Sequence, residues 1–189
     1  QTAMHEDGSI NEAELRRQIN RQIDAGVDAV FCLGTNGEFY IMSAEEKIRV
    51  MEIFVDEVKG RVPVYAGTGC ISTEETVALS RKAQEIGVDV LSVITPYFAA
   101  ISQEELYQHY AQVAQVVERQ AAAGQCLFMS LDYGLVQAMN AIHPEYIIGY
   151  CVYGSMGSVD AGFLLANGIN FLTIEENMVS PRLINRCLR

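Results

Sequence analysis

Three stretches of the chain repeat one another, and their form limits the folds open to it. They are Ala25-Gly-Val-Asp-Ala-Val-Phe-Cys-Leu33, Ile86-Gly-Val-Asp-Val-Leu-Ser-Val-Ile94 and Asn167-Gly-Ile-Asn-Phe-Leu-Thr-Ile174. In each, a glycine follows an amphipathic stretch and precedes a continuous apolar run. A helix ended by a C′ glycine and followed by a strand buried on both faces has this form. Helix starts recur as well. Ser43-x-x-Glu46, Ser72-x-x-Glu75 and Ser102-x-x-Glu105 are capping boxes, and Ser180-Pro181 opens a further helix with proline in its first turn. These marks predict helices over 11–25, 43–59, 73–86, 102–120, 132–142, 157–166 and 180–188. Between them they predict strands over 28–34, 62–67, 89–95, 125–131, 146–152 and 169–175. Strands joined through helices run parallel, so the expected fold is a parallel (β/α) repeat. It should be TIM-barrel-like, with fewer than the eight strands of a full barrel.

Composition narrows the partners. Half of the 189 residues are apolar, enough for a substantial core and consistent with one barrel-type domain over 1–189. A formal charge of −11 argues against nucleic acid and against an anionic membrane surface, since both need clustered Lys and Arg. The expected partners are a small carboxylate or phosphate ligand and further copies of the chain, as a homodimer or higher oligomer. Five cysteines at wide spacings, with no C-x-x-C pair, suggest reduced thiols rather than a disulfide framework or zinc site. No basic-plus-apolar signal opens the sequence and no apolar run reaches membrane-spanning length, so the expected address is the cytoplasm. No cofactor and no metal is expected. Acids outnumber bases 19 to 9 over residues 1–118 but only 5 to 4 over 119–189, a change of character near Glu118.

In parallel α/β folds functional groups gather at the C-terminal ends of the strands. Here the strand mouths should be lined by Thr35, Thr68, Tyr97, Asp132, Tyr153 and Glu175. The most informative end is Gly34-Thr35-Asn36-Gly37-Glu38. Its backbone amides and hydroxyl, with no bulky side chain in the way, suit a carboxylate or phosphate oxygen. An ordinary Gly-rich turn using Asn-Gly for positive φ has the same sequence. Asp132, Glu175 and Glu176 lie at neighbouring strand ends without a histidine, a weak set for a hard cation.

From Met4 to about Gln115 the chain resembles the dihydrodipicolinate synthase and N-acetylneuraminate lyase family. The resemblance rests on Asp7-Gly8-Ser9-Ile10, Gly34-Thr-Asn-Gly-Glu38, Pro63-Val-Tyr-Ala-Gly-Thr-Gly69, Thr95-Pro-Tyr-Phe98 and Ser102-Gln-Glu-Glu-Leu-Tyr-Gln-His-Tyr110, in that order. It implies a class I aldolase of TIM-barrel fold that binds pyruvate or another 2-oxo acid as a Schiff base. Thr35 and Asn36 would match the carboxylate-holding pair, with Thr35 also in a proton relay, and Gly37 and Tyr97 would complete the substrate site. Phe98 stands where many members have a relay tyrosine. Past residue 118 the family would continue with Tyr-Asn-x-Pro and then Gly-x-Lys, which carries the Schiff-base lysine. This chain has Cys126-Leu-Phe-Met-Ser-Leu-Asp132 and Tyr146-Ile-Ile-Gly-Tyr-Cys-Val152 instead. Residues 125–189 are more similar to the later units of glycerophosphodiester phosphodiesterases, through Met129-Ser-Leu-Asp-Tyr133, His143-Pro, Ile148-Gly-Tyr150 and Phe171-Leu-Thr-Ile-Glu-Glu176. Taken together, the two resemblances suggest a chimera, natural or designed, joined near residue 118.

All three lysines, Lys47, Lys59 and Lys82, fall in charged helical stretches where they should be solvated and protonated. An amine nucleophile needs desolvation or a neighbouring cation. His5, His109 and His143 read as surface or cap residues, and Glu38 as support for its turn. The expectation on these grounds is a barrel-type scaffold with an incomplete active site, without native catalysis and not an enzyme. The alternatives are a pyruvate-dependent lyase and a small-anion binder at Gly34–Gly37.

Overall fold

The repeated glycines end their helices in a left-handed backbone: φ is +85° at Gly26, +96° at Gly87 and +78° at Gly168. The aspartate that follows Gly87 has its own task. Asp89 Oδ2 accepts the amide of Val64 at 2.8 Å and so ties the entrance of one strand to the next. The computed structural model describes residues 1–119, 126–130, 133–142, 144, 147–152, 161–169 and 171–174. The chain divides into two compact units, Gln1–Gln125 and Cys126–Arg189.

The first unit alternates α1 (Glu12–Asp24), β1 (Val30–Cys32), α2 (Ala44–Val58), β2 (Val64–Gly67), α3 (Thr73–Ile86), β3 (Val90–Val93) and α4 (Gln103–Arg119). β1 pairs with β2 and β2 with β3, all parallel, in registers such as Val30↔Val64 and Ala66↔Leu91. The helix starts are those the sequence marked. Asn11 caps α1 by accepting from Glu14 N, and the boxes at Ser43 and Ser102 are reciprocal. The second unit holds β4 (Cys126–Ser130), α5 (Tyr133–Ile142), β5 (Ile147–Val152), α6 (Ala161–Ala166) and β6 (Phe171–Ile174). Its strands are also parallel and pair in sequence order. The parallel (β/α) alternation with six strands among the described residues is the expected fold class.

The strands are shorter than the apolar runs suggested. β1 ends at Cys32 because Leu33 turns left-handed, with φ +58°. β3 starts after Asp89, whose side chain is already engaged. The helix expected over 157–166 spans Ala161–Ala166, and the one at 180–188 lies outside the described residues.

α2 carries the centre of the first unit's core. Val50, Met51, Ile53 and Val58 are fully buried, and α2 packs against β1, β2, α1 and α3. Between α1 and α2, Arg16 reaches Glu12, Asp56 and Glu57 at 2.8, 2.6 and 2.7 Å, and Arg49 joins Glu12. Solvent screens such exposed pairs, so they fix the angle of the two helices more than they stabilise the fold. Burial pushes the Cys32 thiol up to about 12, which leaves it inert. His109 differs from its sequence reading. It is 3% exposed on α4, its Nδ1 lies 2.9 Å from Thr73 Oγ1 at the start of α3, and burial holds its pKa below the usual histidine range.

Candidate functional site

The left-handed Leu33 turns the chain out of β1 into a single 3-10 turn, Thr35–Gly37. Gly37 N donates to Gly34 O at 2.8 Å and Glu38 N to Thr35 O at 3.0 Å. Glu38 is itself left-handed at φ +59° and starts a second 3-10 turn, Phe39–Ile41. Two non-glycine residues in this backbone region bracket four residues, a conformation of the kind found at binding sites. In an i to i−3 turn the first amides have no acceptor within the turn. Thr35 and Asn36 are therefore presented at the strand's C-terminal end with exposed side chains.

Close packing behind the turn requires glycine. A Cβ at Gly67, the last residue of β2, would lie 2.2 Å from Leu33 O, and one at Gly69 would lie 2.7 Å from Ile94 Cγ1. The exits of β1, β2 and β3 thus touch backbone to backbone, which aligns their mouths. Thr68, expected at a mouth, is fully buried instead. Its Oγ1 accepts from Ser80 Oγ at 2.9 Å, so it joins the end of β2 to α3.

Tyr97 lies beside the second 3-10 turn, Phe39–Ile41. Its ring meets Phe39 edge-on at 5.5 Å between centroids, and it lines a cavity of about 580 Å³ with Tyr40, Lys47, Cys70, Glu75 and Lys82. Thr35, Asn36 and Gly37 do not line that cavity. Burial, and after it Cys70 and Glu75, raise the Tyr97 phenol, while burial raises the Cys70 thiol against the charge of Lys47. The cavity was missed in the sequence because Glu75 reads as part of a helix start, where Ser72 is the N-cap and its Oγ accepts the Glu75 amide at 3.1 Å. The side chain after Tyr97, Phe98, is 96% exposed with φ +82°.

The lysines divide. Lys59 is exposed at the end of α2, and Lys82 is exposed and held by Glu85 at 2.6 Å, which raises its pKa. Lys47 is half-buried, with its ammonium 5.8 Å from the Phe39 ring centroid. None of the three stands on a strand or at a strand's exit. Asp132, His143, Tyr153, Glu175 and Glu176 lie outside the described residues. Among the described residues no group of three His, Cys, Asp or Glu is placed to hold a metal, and no helix is long and apolar enough to cross a membrane.

The model of the Dihydrodipicolinate synthetase family matches residues 1–121. A 4-hydroxy-tetrahydrodipicolinate synthase from Pelobacter propionicus is 44% identical over 112 residues, 59% of this chain and 39% of that protein. The same-named enzyme from Methylococcus capsulatus is 30% identical over an alignment covering 100% of this chain and 72% of its own length. Among solved structures, a dihydrodipicolinate synthase superposes with a TM-score of 0.76 at 28% identity, over 91% of this chain and 60% of that one. The chain thus spans 39% of the length of the first of these relatives.

These matches correct the reading of a scaffold without native catalysis that is not an enzyme, because the relatives are named as enzymes. The misreading came from giving the missing strand-end lysine more weight than the ordered motifs. The alignment with the Methylococcus capsulatus enzyme runs through the second unit as well, so the chimeric, designed and phosphodiesterase-like readings find no support. The motifs from Asp7 to Tyr110, the parallel (β/α) order and the superposition agree, and this chain belongs to the dihydrodipicolinate synthetase family.

Proposed function

We propose that the chain serves a pyruvate-dependent carbon–carbon lyase, in which the turn Gly34–Gly37 holds the carboxylate of a 2-oxo acid. The observation that carries this reading is the 3-10 turn at the exit of β1, which offers Thr35 and Asn36 within the stretch that matches the family. A carboxylate fixed there sets the orientation of the adjacent carbonyl carbon, the atom that an amine attacks in class I chemistry. Titration with pyruvate should shift the amide resonances of Thr35, Asn36 and Gly37. Asn36→Ala should weaken the response about tenfold, as expected for loss of a hydrogen bond to a charged group. Unmoved resonances at tens of millimolar pyruvate would sink the reading, and an equal response to inorganic phosphate would reduce it to general anion binding.

The proposed partner is a second copy of the chain, in the cytoplasm. Tyr40 and Ile71 on the rim of the cavity, and Phe98 beside Tyr97, are more than half exposed. Apolar side chains gathered in this way favour association, and a copy bearing the same patch can bury them symmetrically. Light scattering at micromolar concentration should give a mass at least twice the 20.9 kDa of one chain. A monodisperse monomer would refute it.

A further inference from the structure

The turn that would hold the carboxylate is fastened from outside by a long-range side-chain bond. Thr2 Oγ1 donates to Gly37 O at 2.7 Å across 35 positions of sequence, and Thr2 is only 9% exposed. Two carbonyls close the turn from within: Gly34 O accepts Gly37 N and Thr35 O accepts Glu38 N. The carbonyl of Gly37 is the one that takes the threonine hydroxyl, and a Cβ on Gly37 would sit 3.5 Å from Thr2 Oγ1.

Thr2 is well placed to act as an anchor, because the segment that carries it is fixed to α1. Met4 and Ile10 form an antiparallel bridge, His5 N donates to Ser9 O at 2.8 Å, and Asn11 N donates to Ala3 O at 2.8 Å. Asp7 closes the intervening turn by accepting both the amide and the hydroxyl of Ser9, at 3.0 and 2.6 Å. Asn11 is in turn the N-cap of α1. A rigid connection therefore runs from the start of α1 through Thr2 to the last carbonyl of the Thr35–Gly37 turn.

We propose that Thr2 is a positioning residue: through the Gly37 carbonyl it holds the turn in the orientation that aims the Thr35 and Asn36 amides at a bound carboxylate. The turn is short and is bracketed by Leu33 and Glu38 in a backbone region that non-glycine residues populate sparsely, so a tie from outside can bias its conformation. Thr2 supplies that tie. The inference rests on the reading of the turn as a 2-oxo acid site, and its test separates the two.

Thr2→Val keeps the side-chain shape and removes the donor, while Thr2→Ser restores the donor. In the ligand-free protein, Thr2→Val should move the Gly37 carbonyl-carbon resonance and the Glu38 amide, with the change confined to residues 33–39, and Thr2→Ser should return them. With pyruvate as the probe, Thr2→Val should raise the apparent Kd about fivefold to tenfold, the loss expected for one hydrogen bond, and Thr2→Ser should recover it to within about twofold. A valine variant that keeps the wild-type spectrum at residues 33–39, or serine and valine variants that weaken binding equally, would overturn the role of Thr2. If the wild type itself fails to bind pyruvate, the proposed ligand falls, and the ligand-free spectra still decide whether Thr2 sets the turn.

Discussion

Gly67→Ala should lower the thermal midpoint by about 10 °C and abolish the response of the Thr35 turn to pyruvate together with it. The added methyl would lie 2.2 Å from the carbonyl oxygen of Leu33, a backbone atom that no rotamer change can move aside. Either β2 shifts away from β1, breaking the Cys32↔Ala66 register, or Leu33 gives up its left-handed conformation and takes the turn with it. Overpacking of this kind costs about 3 kcal/mol or more, which in a chain of this size corresponds to the stated shift. Calorimetry with a parallel pyruvate titration checks both parts. A variant that melts within about 2 °C of wild type would mean that the strand exits are not in backbone contact.

Ile53→Ala should cost about 2–5 kcal/mol, the usual range for truncating a fully buried aliphatic side chain. Ile53 is 0% exposed at the centre of α2, which packs against both β1 and β2. A cavity there loosens the helix that supports the two strands leading to the Gly34–Gly37 turn. Denaturant titration should show a lower midpoint at unchanged slope. Asp56→Asn, exposed on the same helix, should leave the midpoint nearly unchanged. Equal losses in the two variants would remove α2 from the core.

The parts of the fold legible in the sequence were those set by local chemistry. Gly26, Gly87 and Gly168 announced helix ends because left-handed backbone there favours glycine, and Ser43, Ser72 and Ser102 announced helix starts because their side chains satisfy nearby amides. What the sequence hid was direction. Nothing local told Thr68 to turn toward Ser80 rather than toward a mouth, and nothing marked His109 as buried against Thr73. The cavity beside Tyr97 was hidden as well, since it brings Lys47 of α2 against the Cys70–Glu75 stretch and Tyr97, three separate parts of the chain. Thr35 and Asn36 were found through ordered motifs, and the tie from Thr2 through packing alone. Strand lengths were overestimated because an apolar run continues past the point at which the backbone leaves the ladder, as at Leu33.

In both units each strand pairs with the one that follows it in sequence, and this has a bearing on how the chain is born. Val64 is the register partner of Val30, thirty-four positions later, and Leu91 follows Ala66 by twenty-five. At a synthesis rate of about 10 residues per second, a strand emerging from the ribosome meets its partner within a few seconds, before more distant competitors exist. Folding can then advance unit by unit along the chain, with exposed strand edges short-lived. The same arrangement lets a gene gain or lose a whole strand and helix at a boundary while the ladders already formed keep their partners.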